Sequence, residues 1–439
     1  MMSVYFNRRQ RLLKTIGKNG IALIASAPEV PFGPDMDYPF RQNPNLYYLT
    51  GFSEPESILM LVPGRAEGES ILFNRPRDPA QEVWMGPRAG QEGAVRDYGL
   101  DQAFPIHEFT HFLSNAMKGR ERVYLLLTSN SLLLNEVLVC LDELQQQSRA
   151  GVIVPKALEN VDYMIRRMRL IKDDDEINTM RTAAKISADI HCEAMRRCKP
   201  GMNENDFDAL FTGEFKRRGC NGSAYSNIIA AGNNATILHY HRNKSELNDG
   251  DLLLIDAGGD YQGYAADITR TYPINGRFTK DQRDLYEAVL RVQKEAITLI
   301  KPGFDYHEYQ VFARKRITEE CVGLGLLKGD PEKLYEEGAY KKFYMHNLGH
   351  WIGMDVHDHV GGMYRDLELG KWIPFEPGMT ITCEPGLYIP HGTEGVDKKW
   401  WGMGIRIEDD ILVTKEGSEI MSAGVPKEVD EIEALMASA

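Results

Sequence analysis

The spacing of apolar positions changes character along the chain. Residues 56–62 (ESILMLV) and 70–74 (SILFN) are short apolar runs separated by the turn-rich PGRAEGE, and 123–127 (VYLLL) is a third such run. Runs of this length framed by glycine and proline predict buried strands, so the first third reads as α/β. From Val161 to about Arg197 the period lengthens. Ile165, Met168, Ile177, Met180, Ala184, Ile186, Ile190 and Met195 recur at helical spacing, interrupted by Asp173, Asp174 and Asp175. The interruption predicts a domain boundary near residue 172, giving domains 1–172 and 173–439.

Amphipathic patterns predict further helices over 204–218, 281–300 and 306–321, the last two parted by Lys301, Pro302 and Gly303. Strand-like runs lie between and after them: DLLLIDA (251–257), YAADITRTY (264–272), MTITCE (379–384) and IRIEDDILVT (405–414). Two pairs of these repeat one pattern. Gly250 stands six before Asp256 and Gly258 two after it; Gly378 stands six before Glu384 and Gly386 two after. Gly263 stands four before Asp267, as Gly404 does before Glu408. An acidic residue at four equivalent points predicts two similar hairpins facing each other across a pseudo-twofold axis.

Composition narrows the class. With 43% hydrophobic and 26% charged residues the chain is neither disordered nor fibrous, and 439 residues suffice for more than one domain. A formal charge of -13 repels phosphate backbones, which argues against a nucleic-acid partner. The densest basic stretch, IRRMRLIK (165–172), runs at once into Asp173 to Asp175 and reads as a solvated helix face. The chain has no apolar run long enough to span a bilayer, and MMSVYFNRRQRLLK lacks a signal core, so a cytoplasmic location without a membrane partner is expected. Six cysteines without a CxxC pair are expected to be reduced and structural.

Asp256 and Asp267 flank the turn GGDYQGY symmetrically, so in an antiparallel hairpin they are expected nearly opposite each other, Cβ atoms about 5 Å apart. Like charges so placed repel unless a cation sits between them, and Glu384 with Glu408 repeats the arrangement. Four carboxylates can hold two divalent ions roughly 3.5 to 4 Å apart, as in two-metal hydrolases. Oxygen-rich ligation with one imidazole and no thiolate points to Mn²⁺, Fe²⁺ or Co²⁺. The imidazole must come from elsewhere, and His346, His350, His357 and His359 cluster in HNLGHWIGMDVHDH. Asn347, Leu348 and Gly349 exclude the HExxH pattern of zinc proteases; a glycine-punctuated strand or loop delivering one ligand fits better.

These residues carry a resemblance. ILHY (237–240), LLIDAGGDYQGYAADITRTYP (253–273), MHNLGHWIGMDVHD (345–358), ITCEPGLYI (381–389) and GIRIEDD (404–410) resemble the M24 pita-bread metallopeptidases, and among these the aminopeptidase P (Xaa-Pro aminopeptidase) family. DYPFRQNPNLYYLTGFSEPES (37–57) resembles that family's N-terminal domain. The resemblance implies an α/β N-terminal domain followed by an α+β pita-bread (creatinase/aminopeptidase-like) catalytic domain. It implies Asp256, Asp267, His350, Glu384 and Glu408 as ligands of two divalent ions, usually Mn²⁺, with Asp267 and Glu408 bridging. It also implies that Glu384 carries a proton from the attacking water to the leaving proline nitrogen. His239 and His357 are implied near the scissile carbonyl, and His346 on the proline side of the pocket. Arg406, on the same strand face as Glu408, can reach the cluster or a substrate carboxylate, and Tyr388 is a further substrate-binding candidate. Trp84, in EVWMGPR with Arg88, resembles a segment that reaches toward a neighbouring subunit's site, so a homodimer or homotetramer is expected.

Other residues keep plainer readings. His241, His359 and His391 are expected to be structural, Asp260 to belong to turn chemistry, Asp409 and Asp410 to be solvated or to support the ligands, and Cys383 to face the core. The reading is thus a dinuclear-metal hydrolase that removes the residue before proline from peptides, using no nucleic acid. An Xaa-Pro dipeptidase (prolidase) is the alternative, and a non-catalytic pita-bread binding module a third; the latter typically loses ligands, and here all five are present. The polar loop 391–399 between the Glu384 and Glu408 motifs bears on substrate length and not on the metal site.

Overall fold

The computed structural model describes residues 2–127, 131–358, 364–366 and 370–438. The chain divides into two compact units, Met1–Met168 and Arg169–Ala439. Among the described residues no helix is long and apolar enough to cross a membrane.

The first unit is built on a six-stranded mixed sheet, ordered Gln102–Pro105, Ser70–Asn74, Ile58–Leu61, Gly20–Ala25, Arg122–Leu125, Ala157–Asn160. Gly20–Ala25 pairs antiparallel with Ile58–Leu61 and parallel with Arg122–Leu125. Gly20–Ala25 and Ser70–Asn74 are buried on both faces, which is why they read as unbroken apolar runs without alternation. The helices Phe109–Met117 and Ser131–Gln146 lay Leu113, Val137 and Leu144 against Phe73 and Val123 of the sheet. Trp84 sits on the short helix Pro79–Met85 with Val83 and Met85, all three exposed, Trp84 at 83%.

In the second unit the acidic interruption is a helix start. Asp173 caps Asp174–Arg197, its carboxylate accepting from the Glu176 N–H while Glu176 accepts from the Asp173 N–H. The basic stretch before it departs from the sequence reading. Arg169 and Lys172 are buried, at 1% and 5% exposure, because Asp358 receives both of them. Helices Glu204–Arg217, Lys280–Ile297 and Tyr306–Gly323 complete the helical layer. Phe207, Phe211 and Phe215 and then Leu285, Val289 and Val292 recur at helical spacing in the core over the strands Leu252–Asp256 and Met403–Arg406.

Both predicted hairpins form, each in two pieces. Leu252–Asp256 pairs with Thr269–Pro273 and Gly259–Tyr261 with Tyr264–Ala265; Thr380–Cys383 pairs with Asp409–Val413 and Gly386–Ile389 with Met403–Arg406. The runs expected to be continuous, 264–272 and 405–414, break at 266–268 and 407–408, where the backbone changes partner. There the Glu408 N–H donates to the Thr269 carbonyl of the other hairpin at 3.0 Å, and the Asp267 N–H donates to the Asp410 carboxylate at 3.1 Å. The register corrects one expectation. Asp256 pairs with Thr269 and Asp260 with Ala265, so Gly258, not Asp256, falls opposite Asp267, and the two aspartates are diagonal neighbours. In the second hairpin Cys383 pairs with Asp409 and Gly386 with Arg406, which sets Glu384 opposite Glu408.

The glycines two residues after Asp256 and Glu384 both lie against a close-passing strand, and a Cβ on Gly386 would also meet the Tyr388 hydroxyl at 2.5 Å. A Cβ on Gly258 would lie 1.8 Å from the Ala266 carbonyl oxygen, and one on Gly386 2.8 Å from that of Ile405. The facing strand passes too close for any side chain.

Candidate metal centre

The strand breaks point side chains inward. Asp256 closes its strand, Glu384 follows Cys383, and Asp267 and Glu408 sit in the two interruptions, and all four carboxylates enter one cavity of about 530 Å³. His350 joins them from an irregular segment fastened to the strand Thr380–Cys383. Its N–H donates to the Thr382 hydroxyl at 3.0 Å, and its carbonyl accepts from the Thr382 N–H at 2.9 Å. A Cβ on Gly349 would lie 1.9 Å from the Thr382 carbonyl oxygen, which accounts for the glycine that breaks the histidine cluster.

Nε2 of His350 lies 3.4 Å from Asp267 Oδ2 and 3.7 Å from Glu384 Oε1, while Nδ1 lies 3.2 Å from the Trp351 carbonyl oxygen. An N–H at Nδ1 leaves the Nε2 lone pair aimed at the carboxylates, the tautomer a metal ligand needs. Asp267, His350 and Glu408 each offer one donor atom within 4.8 Å of the others.

The electrostatics are those of a cation site. Burial pushes the Glu384 carboxyl up to about 7 and the Asp256 carboxyl up to about 6, and burial with the charge of Asp267 raises Glu408 well above the carboxylate range. Burial also acts to raise Asp267, but the hydrogen bond and charge of His350 bring it below its ordinary value. Burial pulls the His350 imidazole down, yet Asp267 and Glu384 outweigh it and lift the ring to about 9. The protein's own groups therefore leave the cluster short of positive charge, and the oxygen-rich donor set with one imidazole fits hard divalent ions.

A second ring of groups orients these donors. The Tyr225 hydroxyl stands 2.5 Å from Asp256 Oδ1 and 2.6 Å from Asp267 Oδ1; the Thr269 hydroxyl donates to Glu408 Oε2 at 2.6 Å. Arg406, buried, donates to Asp256 Oδ2 at 2.6 Å, to the Tyr388 hydroxyl at 3.1 Å and to the Thr269 hydroxyl at 3.2 Å. Tyr388 in turn meets His346 Nε2 at 2.8 Å. Burial, with the charge of Arg406, holds the His346 ring down at about 3, so it is neutral.

His346 lines the cavity, with His357 and His239, both exposed, at its rim. His357 stands edge-on to His350, ring centroids 4.3 Å apart. His241 departs from its structural reading, since it also lines the cavity, stacked on His239 at 6.2 Å. His391 is exposed, its N–H bonded to Asn233, and His359 lies outside the described residues. Asp260 accepts the Gly263 N–H at 2.8 Å across its turn, and Cys383 is buried, its thiol toward the Gln293 carbonyl. Asp409 and Asp410 are fully buried, not solvated: Asp409 meets Arg270 and Lys427, each at 2.7 Å.

Sequence reasoning passed over Tyr225 and Thr269. Thr269 stood two residues from Asp267 and could have been found by strand alternation; Tyr225, 31 residues before Asp256, follows no spacing rule.

Residues 178–415 match the model of metallopeptidase family M24, and residues 5–124 that of the aminopeptidase P N-terminal domain. The chain is 41% identical to the Xaa-Pro aminopeptidase of Escherichia coli K12 over 98% of its own length and 97% of the relative's. It is similar to the solved structure of Pseudomonas aeruginosa aminopeptidase PepP, with a TM-score of 0.96 and 44% identity, covering 100% of this chain and 98% of that one. Zinc-substituted E. coli aminopeptidase P in complex with product superposes with a TM-score of 0.94 at 40% identity, over 100% of this chain and 98% of that one. With an α/β domain of the aminopeptidase P type ahead of a pita-bread catalytic domain, the chain belongs to metallopeptidase family M24.

Proposed function

We propose that this chain is an aminopeptidase that hydrolyses the Xaa-Pro bond, releasing the N-terminal residue from peptides with proline in second position. The observation that carries the reading is the convergence of Asp256, Asp267, Glu384, Glu408 and His350 in one cavity of a chain whose full-length relative is an Xaa-Pro aminopeptidase. These five residues, in a catalytic domain taken as 173–439, would hold two Mn²⁺ ions. Bound divalent ions supply Lewis acidity, polarising the scissile carbonyl and bringing the attacking water's pKa toward neutrality.

The chain's own groups do the rest. Glu384 accepts the water's proton and releases it to the leaving proline nitrogen. His357 and His239 donate toward the developing oxyanion. Neutral His346, fixed by Tyr388, borders the proline ring without adding charge. An Xaa-Pro bond has no N–H, so a pocket that contacts the ring and offers no acceptor for an amide proton admits it. Arg406 spends its donors on Asp256, Tyr388 and Thr269, which supports a role in holding the donor set as well as in reaching substrate.

The cavity opens at exposed His239 and His241, which favours peptides over a closed dipeptide site. We place its action in the cytoplasm. The exposed trio Val83, Trp84 and Met85 accords with a homodimer or homotetramer in which Trp84 reaches substrate. The test is an assay of metal-stripped protein, with and without Mn²⁺, on an Xaa-Pro dipeptide and a longer Xaa-Pro peptide. Mn²⁺-dependent release of the first residue from the longer peptide is expected; cleavage of the dipeptide alone would make the protein a prolidase.

A further inference from the structure

His357 must be held in the cavity to act on substrate, yet residues 352–358 form neither helix nor strand. Charge buried behind the segment fixes it. Nη2 of Arg169 donates to Asp355 Oδ2 at 2.8 Å and to Asp358 Oδ1 at 2.7 Å, so the carboxylates two residues before and one residue after His357 converge on one guanidinium. The side chains of Arg169 and Asp358 are 1% and 2% exposed, and Lys172 Nζ lies 3.7 Å from the other Asp358 oxygen.

The backbone is drawn onto this pair. The Asp358 N–H donates to the Trp351 carbonyl at 2.8 Å, closing the segment into a loop, and the Gly353 carbonyl accepts from the Ala265 N–H at 2.8 Å. A Cβ on Gly353 would lie 2.2 Å from Asp358 Oδ2. The loop thus rests on the ion pair on one side and presents the His357 ring to His350 on the other, 4.3 Å away.

A buried ion pair is weak evidence of net stability, since apolar replacements of equal volume often do as well. Directional bonds from a planar guanidinium fix positions instead. We propose that Arg169 is a positioning residue, clamping Asp355 and Asp358 so that the His357 imidazole is held over the carboxylate cluster. The value of the clamp to turnover rests on the role given to His357 above.

Asp355→Asn and Arg169→Lys, made alone and combined with His357→Ala, test this in the metal-loaded protein. Crystal structures report the His357 ring, and kinetics on an Xaa-Pro tripeptide report kcat and KM separately. The expected result is a displaced or disordered His357 ring in both variants, with kcat lowered ~10-fold and KM within about twofold, as for a misplaced reacting partner. In the His357→Ala background the same changes are expected to cost nothing further. Asp355 is the more exposed partner, at 22%, so its variant serves if Arg169→Lys does not fold. An unmoved ring in folded Asp355→Asn overturns the clamp, as do losses that multiply that of His357→Ala. A displaced ring with unchanged kcat upholds the clamp and removes His357 from catalysis, so the two readings fail separately.

Discussion

The Tyr225 hydroxyl lies 2.6 Å from Oδ1 of Asp267 and, on its other side, 2.5 Å from Oδ1 of Asp256. The phenol thus stands between two carboxylates that the register leaves diagonal, its one hydrogen donated to one of them at a time. Tyr225→Phe removes that hydroxyl and leaves the ring in place, so divalent-metal affinity is expected to fall roughly 10- to 100-fold, the usual cost of losing a group that orients a ligand. Competition against a chelator measures it, and an unchanged affinity would show that the ladder alone aims the aspartates.

Glu384→Gln keeps the side chain's volume while removing its ability to take a proton. Turnover is expected to fall by ~10²-fold or more, the range for a general acid–base group, in a protein that still folds and melts cooperatively. Circular dichroism and single-turnover kinetics check both halves, and near-normal activity would take Glu384 out of the mechanism.

With Asp256, Asp267, Glu384 and Glu408 as metal ligands, the protein's stability is expected to depend on metal. An ion that binds the assembled cluster and not the unfolded chain is expected, at about 100 times its Kd, to add about 2.7 kcal/mol per site. Thermal melts of chelator-treated protein with and without Mn²⁺ measure this, and Tm should climb with Mn²⁺ concentration.

Arg270 and Asp409 form a fully buried pair at 2.7 Å, and Arg270 also donates to the Glu408 carbonyl. Arg270→Met leaves Asp409 with Lys427 as its remaining cation, and a cost of about 3 to 5 kcal/mol is expected from stranding a buried charge. Urea unfolding reads it, and a change under about 1 kcal/mol would mean that Lys427 neutralises Asp409 unaided.

His191 is buried, its Nε2 3.0 Å from the Ala257 carbonyl oxygen, and burial pulls its imidazole down to about 3. The unfolded chain binds a proton there below about pH 6.5 that the native state refuses. Its contribution is therefore present above about pH 6.5 and is lost as pH falls toward 3, by about 1.4 kcal/mol per pH unit. His191→Gln is expected to flatten the fall in stability between pH 7 and pH 5 by about 2 kcal/mol, read from urea midpoints at each pH.

Much of this protein was legible in one dimension. The four carboxylates, the glycines around them and the histidine cluster stood at spacings that local geometry imposes. A glycine is needed wherever a facing strand comes within 1.8 Å of where a Cβ would be, as at Gly258, and that need recurs with the hairpin itself. The acidic break at Asp173, read in the sequence as a domain boundary, is a helix start whose capping box is contained in four consecutive residues.

The tertiary structure decided the rest. Arg169 and Lys172 resembled a solvated face because their partner, Asp358, lies 189 residues from Arg169 along the chain. Tyr225 carried no spacing signal, and the strand breaks arise where the Asp267 and Glu408 amides turn to partners in the other hairpin. Periodicity records what a residue's near neighbours in sequence require of it. Whether a charge is buried, and which donor turns a carboxylate toward a shared centre, depends on groups that meet only after the chain has folded.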